Sequence, residues 1–169
     1  WEGARMDAIE AIMGRRSVRR FAGTPVPRAT IERIVDAGRM APTARNVQPW
    51  RFVAVTDTET RRALAALATT GPFIAEAPLC IAVFCADTKY WLEDGCAATE
   101  NIIIAARAHG LGHCWVAGDK KPYAGRVAEL LGAPAGHRLV ALIAVGHPAS
   151  EPPSAPKKPL AEVLHWERF

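Results

Sequence analysis

Between Gly14 and Phe21 the chain runs Gly-Arg-Arg-Ser-Val-Arg-Arg-Phe, so four guanidinium groups and one hydroxyl fall within a single short span. Arg15 and Arg19 are four apart, and a helix end or turn can aim both at one ligand, with Ser17 as a short donor between them. Clustered charged donors of this kind suit a small anion such as a phosphate ester. The same composition also describes a solvated basic helix end, and the cluster alone leaves both readings open.

About one helix downstream lies a second stretch, Ala41-Pro42-Thr43-Ala44-Arg45-Asn46-Val47-Gln48-Pro49-Trp50. Other groups offer less. His109 and His113 are four apart and close to Cys114, but Gly110 and Gly112 break the helix that would align them as metal ligands, so no metal is expected. Cys80, Cys85, Cys96 and Cys114 each sit among apolar neighbours without C-x-x-C spacing and read as reduced, buried thiols. Glu100 beside Asn101 suits a structural hydrogen bond or an interface pair better than a general base. Trp50 and Trp115 read as core and interface anchors. There is no Ser-His-Asp arrangement and no G-x-G-x-x-G after a strand.

These groups must be positioned by a chain of 169 residues, a length that suits one domain over 1–169. Half the residues are apolar, and no apolar run reaches the ~18 residues that a membrane span needs. Trp1 to Arg5 lack the pattern of a signal peptide, which makes them a possible leader before Met6 and gives a cytoplasmic location by default. Net charge is +4 with a pI near 9.1. The basic residues form separate clusters at Arg15 to Arg20, around Arg61, at Lys120-Lys121 and at Lys157-Lys158, which favours a small anion over nucleic acid.

Met6, Ile9, Ile12 and Met13 share one face of a first helix, and Ile31, Ile34, Val35 and Met40 one face of a second that Pro42 ends. Trp50 to Val55 alternates as a strand, and Asp57 is placed to cap a helix through Leu64 and Leu67. Leu79 to Cys85 and Leu139 to Val145 are continuous apolar runs of core-strand length, with a shorter strand at Cys114 to Val116. Trp91 to His109 is the longest helical pattern, apolar nearly all round, which predicts packing against its own sheet and a second subunit. Tyr123 to Leu131 is a short helix. Pro148 to Pro159 holds five prolines and predicts an extended arm within 148–169. Leu160, Val163, Leu164, Trp166 and Phe169 beyond it would be sticky on a monomer, so the arm is expected to pack across a partner, with an added edge strand as one form of that contact.

The pairing of Arg15-Arg16-Ser17-Val18-Arg19 with Ala41 to Trp50 resembles the nitroreductase family of FMN-dependent oxidoreductases in its short, single-domain form. Gly110-Leu111-Gly112-His113-Cys114-Trp115, Ala144-Val145-Gly146-His147-Pro148 and Lys157 to Val163 follow in the family's order. The resemblance implies an α+β homodimer around a mostly antiparallel sheet flanked by helices, with a C-terminal arm exchanged between subunits and FMN at the interface. It implies Arg15 and Ser17 at the FMN phosphate with Lys157 of the arm, Arg16 among the cofactor-binding residues, and Arg19 as a cation beside the flavin pyrimidine. Pro42, Thr43, Ala44, Asn46 and Gln48 resemble the segment that the other subunit lays along the ring, and Gly118 a position whose backbone lies near the reactive N5. Thr43 stands where a serine is usual. Ala117-Gly118 stands where larger members have Glu-Gly, so no carboxylate contact carries over. The asparagine and lysine that some members place near the pyrimidine have no counterpart around Thr70 to Phe73.

The activity so implied is hydride transfer from NADH or NADPH to FMN and on to a small planar acceptor, a nitroaromatic, a quinone or another conjugated compound, by a ping-pong mechanism. FMN carries the chemistry, and no catalytic side chain is required of the protein beyond tuning by Arg19. The alternatives are a specialised flavin enzyme of the same fold, a dehalogenase, a dehydrogenase or a flavin-cleaving enzyme, and a non-enzymatic basic module that grips a polyanion.

Overall fold

The computed structural model describes residues 6–169, so the reading of Trp1 to Arg5 as a leader lies outside the described residues. Four strands, β1 (Trp50–Val55), β2 (Leu79–Ala86), β3 (Gly112–Ala117) and β4 (His137–Gly146), form one sheet in the order β1-β2-β4-β3. Every neighbouring pair is antiparallel. The two continuous apolar runs are the two central strands, which explains their composition: both faces are covered, so neither needs alternation.

On one face α2 (Arg28–Arg39) and α4 (Trp91–Ala108) pack through Ile31, Ile34, Ile102 and Ile103 against Ile81, Val83 and Ile143. On the other, α3 (Thr58–Leu67) and α5 (Ala124–Leu130) pack through Leu64 and Val127 against Cys80, Phe84 and Leu142. Asp57 caps α3 as its position predicts, accepting from the Thr60 amide at 2.8 Å. Asn101 ties α4 to α2 by donating to the Ala37 carbonyl at 3.1 Å. Arg61 is buried for structural reasons, donating to the carbonyls of Thr56, Ala75 and Ala77. Cys80, Cys85 and Cys114 are buried free thiols, whereas Cys96 is only half-buried.

Helix α1 (Ala8–Gly14) differs from its sequence reading, because the apolar face does not bury. Ile9, Ile12 and Met13 are exposed, and Ala11 packs inward instead. Helix α4 is likewise covered on fewer sides than its composition suggests. Ile104 and Ala105 are half-buried, Glu100 is exposed, and an apolar groove of about 560 Å³ runs between α1 and α4 along Ala11, Ile12, Ile104 and Ala108. Trp50 is a core residue, and Trp115 is half-buried against the same core. After β4 the chain continues through an antiparallel bridge of Pro148 to Phe21 and a bond from the Ala149 amide to the Arg20 carbonyl. The tail forms no strand within this chain. It makes one short turn at Leu160–Glu162 and leaves Leu160, Val163, Leu164, Trp166 and Phe169 exposed. No helix among the described residues is long and apolar enough to cross a membrane.

Candidate functional site

The arginine cluster is extended, not helical. Helix α1 stops at Gly14, Arg15 already has φ −62° and ψ 129°, and the following residues run beside the edge strand β3. Ser17 bridges His113 in parallel, and the Val18 amide donates to the His113 carbonyl at 2.8 Å. A period of two therefore replaces the period of 3.6. Val18 turns into the core, whereas Arg15, Ser17 and Arg19 all lie near enough to the Cys114 thiol of β3 to influence it. Burial raises that thiol above its ordinary range, and Arg19, the Ser17 side chain and Arg15 oppose the shift.

Arg16 points elsewhere. Its guanidinium donates to the Met13 carbonyl at 2.9 Å and the Arg15 carbonyl at 2.8 Å, so it serves the open carbonyls at the end of α1. No ion pair to a carboxylate engages Arg15, Arg16, Arg19 or Arg20 among the described residues; Arg19 lies 5.9 Å from the centre of the Phe73 ring. Guanidinium forks without carboxylate partners, beside a hydroxyl, are the donor set that a phosphate monoester requires.

Beneath this set lies a cluster that the sequence did not single out. His113 is 1% exposed, and neither ring nitrogen has a hydrogen-bond partner among the described residues. Burial, then Arg15, then Arg107 push its pKa down to about 3. The Arg107 guanidinium packs under Gly14, 3.1 Å from where a Cβ would stand, and its Nε is also buried without a partner. The only sequence trace of this arrangement was the imidazole in the Gly-Leu-Gly segment.

The second stretch lies at the other edge of the sheet, leading into β1. Pro42 is exposed, and Thr43 and Ala44 are half-buried. Arg45, Asn46 and Gln48 have φ of 55°, 56° and 52°, so the segment is a short turn with three left-handed residues around a right-handed Val47. The Gln48 amide donates to the Thr43 hydroxyl at 3.2 Å and the Gln48 side chain to Asn46 at 3.0 Å. The Ala44 amide donates to Asp94 in the first turn of α4. Arg107, beside Gly14, is in the last turn of the same helix, about 20 Å further along its axis at 1.5 Å per residue. One chain therefore does not bring its two candidate stretches together. Gly118 follows β3, with its amide on the Val140 carbonyl at 3.0 Å, and an added Cβ would meet Leu139 at 2.5 Å. Lys157 is exposed on the arm. His109 caps α4 while His113 lies on β3, so the two histidines share no helix.

The nitroreductase family model matches residues 12–92 and 69–147, both candidate stretches included. The chain belongs to the nitroreductase family. An Archaeoglobus fulgidus relative provisionally named NADH dehydrogenase/NAD(P)H nitroreductase is 33% identical over 153 residues, covering 86% of this chain and 87% of the relative. The 5,6-dimethylbenzimidazole synthase of Rhodospirillum rubrum is 31% identical, covering 95% and 90%. Among solved nitroreductase structures, the FMN-dependent nitroreductase of Clostridium difficile R20291 superposes with a TM-score of 0.89 at 25% identity, covering 95% of this chain and 99% of that one. The antiparallel α+β fold is therefore the nitroreductase fold.

Proposed function

We propose that this nitroreductase-family chain is an FMN-dependent oxidoreductase that takes electrons from NADH or NADPH and delivers them to a small planar acceptor such as a nitroaromatic or a quinone. The observation that carries the reading is that Arg15, Ser17 and Arg19, unpaired with carboxylates among the described residues, all lie near the Cys114 thiol of the edge strand, in a chain whose relatives are named for NAD(P)H and FMN chemistry.

FMN, when bound, supplies two-electron acceptance and donation. The protein's part is binding, orientation and electrostatics. Arg15 and Ser17 hold the phosphate with charge-assisted bonds, and Lys157 of the arm adds a third cation. Arg19 provides a fixed positive charge at the pyrimidine edge, where negative charge grows on reduction. Arg16 stiffens the approach by closing the end of α1. Gly118, whose lack of a side chain is already required by Leu139, would present bare backbone to the ring. Donor and acceptor use one open slot in turn, which gives ping-pong kinetics.

The site is shared by two copies of the chain. Pro42, Thr43, Ala44, Asn46 and Gln48 of one subunit cover the flavin held by the other, a division supported by the separation of the two stretches along α4. The exposed Ile9, Ile12 and Met13, the groove between α1 and α4, and the apolar tail supply the surface for a large hydrophobic interface. The 148–169 arm crosses to the partner and packs there, and residues 1–169 act as one domain.

The purified protein should show flavin absorption, bleach with NADH or NADPH under anaerobic conditions, and regain its colour on adding a quinone. A colourless protein that takes up no FMN would overturn the reading in favour of a polyanion-binding module. Light scattering should give a dimer, and truncation before Pro148 should lose FMN. The likeness to 5,6-dimethylbenzimidazole synthase motivates a second reading, a flavin-cleaving enzyme. In that case the flavin spectrum would be lost irreversibly after reduction in air.

A further inference from the structure

We propose that Asp94 is a positioning residue, whose buried carboxylate tethers the turn of residues 43–48 so that the segment is preorganised for the flavin. The inference rests on the proposed function, in which this turn covers FMN held by the partner.

Gly95 fixes where Asp94 sits. A Cβ there would come within 2.5 Å of Val140 and 3.0 Å of the Cys85 sulfur, so its absence lets the first turns of α4 close onto the sheet. Asp94 is thereby left 5% exposed, and its Oδ1 accepts the Ala44 amide at 3.1 Å, a contact across 50 residues of sequence. A buried carboxylate oxygen that accepts a backbone amide is a strong, directional anchor.

The turn has little else to hold it. Arg45 and Gln48 occupy the left-handed region that most residues with a Cβ avoid, whereas Asn46 tolerates it. The remaining hydrogen bonds of 43–48 among the described residues are internal, linking Asn46 to Thr43, Val47 to Ala44, and Gln48 to Thr43 and Asn46. Packing does not substitute for the tether. Residues 45–48 are exposed, and a cavity of about 130 Å³ separates the segment from Thr88 and Tyr90. An unfavourable backbone conformation persists where surrounding structure over-determines it, and here the surrounding contact is Asp94.

The test compares Asp94→Ala with Asp94→Asn, which keeps an oxygen acceptor. In FMN-free protein, amide exchange at Ala44, Val47 and Gln48 should be about tenfold faster in Asp94→Ala and near wild type in Asp94→Asn, with the core amides of Leu142 and Ile143 unchanged. The FMN dissociation constant should rise about tenfold in Asp94→Ala and recover in Asp94→Asn. Unchanged exchange at Ala44 in a folded Asp94→Ala protein would overturn the tether. Faster exchange with unchanged FMN affinity would instead overturn the placement of the turn at the flavin. Should Asp94→Ala fail to fold, Ala44→Pro removes the donor from the other side. Thr43 already has the extended backbone, φ −132° and ψ 151°, that precedes proline. A folded Ala44→Pro protein with wild-type FMN affinity would equally overturn the proposal.

Discussion

Ser17 and His113 face each other across a parallel bridge, so the hydroxyl of the candidate anion site and a buried imidazole occupy one rung at the sheet edge. The imidazole stays neutral because burial and the charges of Arg15 and Arg107 all oppose its protonation.

That burial makes stability depend on pH with a definite sign. His113 takes up its proton near pH 6.5 in the unfolded chain but only near 3 in the folded protein, so acidification favours unfolding across that window. At 1.36 kcal/mol per pKa unit, the loss between neutral pH and pH 5 is about 2 kcal/mol. Urea denaturation at both pH values should show this loss in the wild type. In His113→Gln the loss should be smaller by about that amount. An identical pH dependence in both proteins would contradict the buried, neutral state.

Under the proposed function, Arg15 serves affinity. A charge-assisted hydrogen bond contributes about 1.5–3 kcal/mol, so Arg15→Ala should weaken FMN binding roughly ten- to a hundredfold while turnover at saturating FMN stays near wild type. Flavin fluorescence titration measures the first and steady-state kinetics the second. Unchanged affinity would move the phosphate elsewhere.

Arg19 lies two residues beyond Ser17 in the extended segment, and under the proposed function it should feel the charge of the ring. If its contact strengthens on reduction by about 1.5–3 kcal/mol, Arg19→Met should lower the two-electron midpoint potential by at most roughly 30–65 mV. A redox titration beside Arg15→Ala, both with FMN fully bound, should show the larger shift in Arg19→Met. Equal shifts would mean that the roles of the two arginines are misassigned.

Gly95 tests the close approach of α4 to the sheet. Adding a Cβ forces Val140 or Cys85 to move, and Gly95→Ala should destabilise the protein by about 1–3 kcal/mol, read as a lower urea midpoint. Gly125, on α5 with no heavy atom within 4 Å of an added Cβ, provides the control. Gly125→Ala should be neutral or slightly stabilising through its better helix propensity.

Much of the fold was legible because it is local. The runs at Leu79 to Cys85 and Leu139 to Val145 have the length and composition of strands covered on both faces, Asp57 stands where a helix cap would, and the proline arm has no apolar periodicity. The donor chemistry of Arg15, Ser17 and Arg19 was legible for the same reason: residue type and spacing are in the chain. Their geometry was not. Whether spacing of four means one helix turn or two strand steps was decided by Val18 entering the core and by the bond from its amide to His113, a partner nearly a hundred residues away. The apolar face of α1 read as core because periodicity reports that a face is apolar, not what will cover it. The diversion of Arg16 to the end of α1, the burial of His113, the placement of the two candidate stretches at opposite ends of α4 and the grip of Asp94 on Ala44 depend on strand order and helix packing. Those are contacts between distant segments, and no local pattern in a single sequence encodes them.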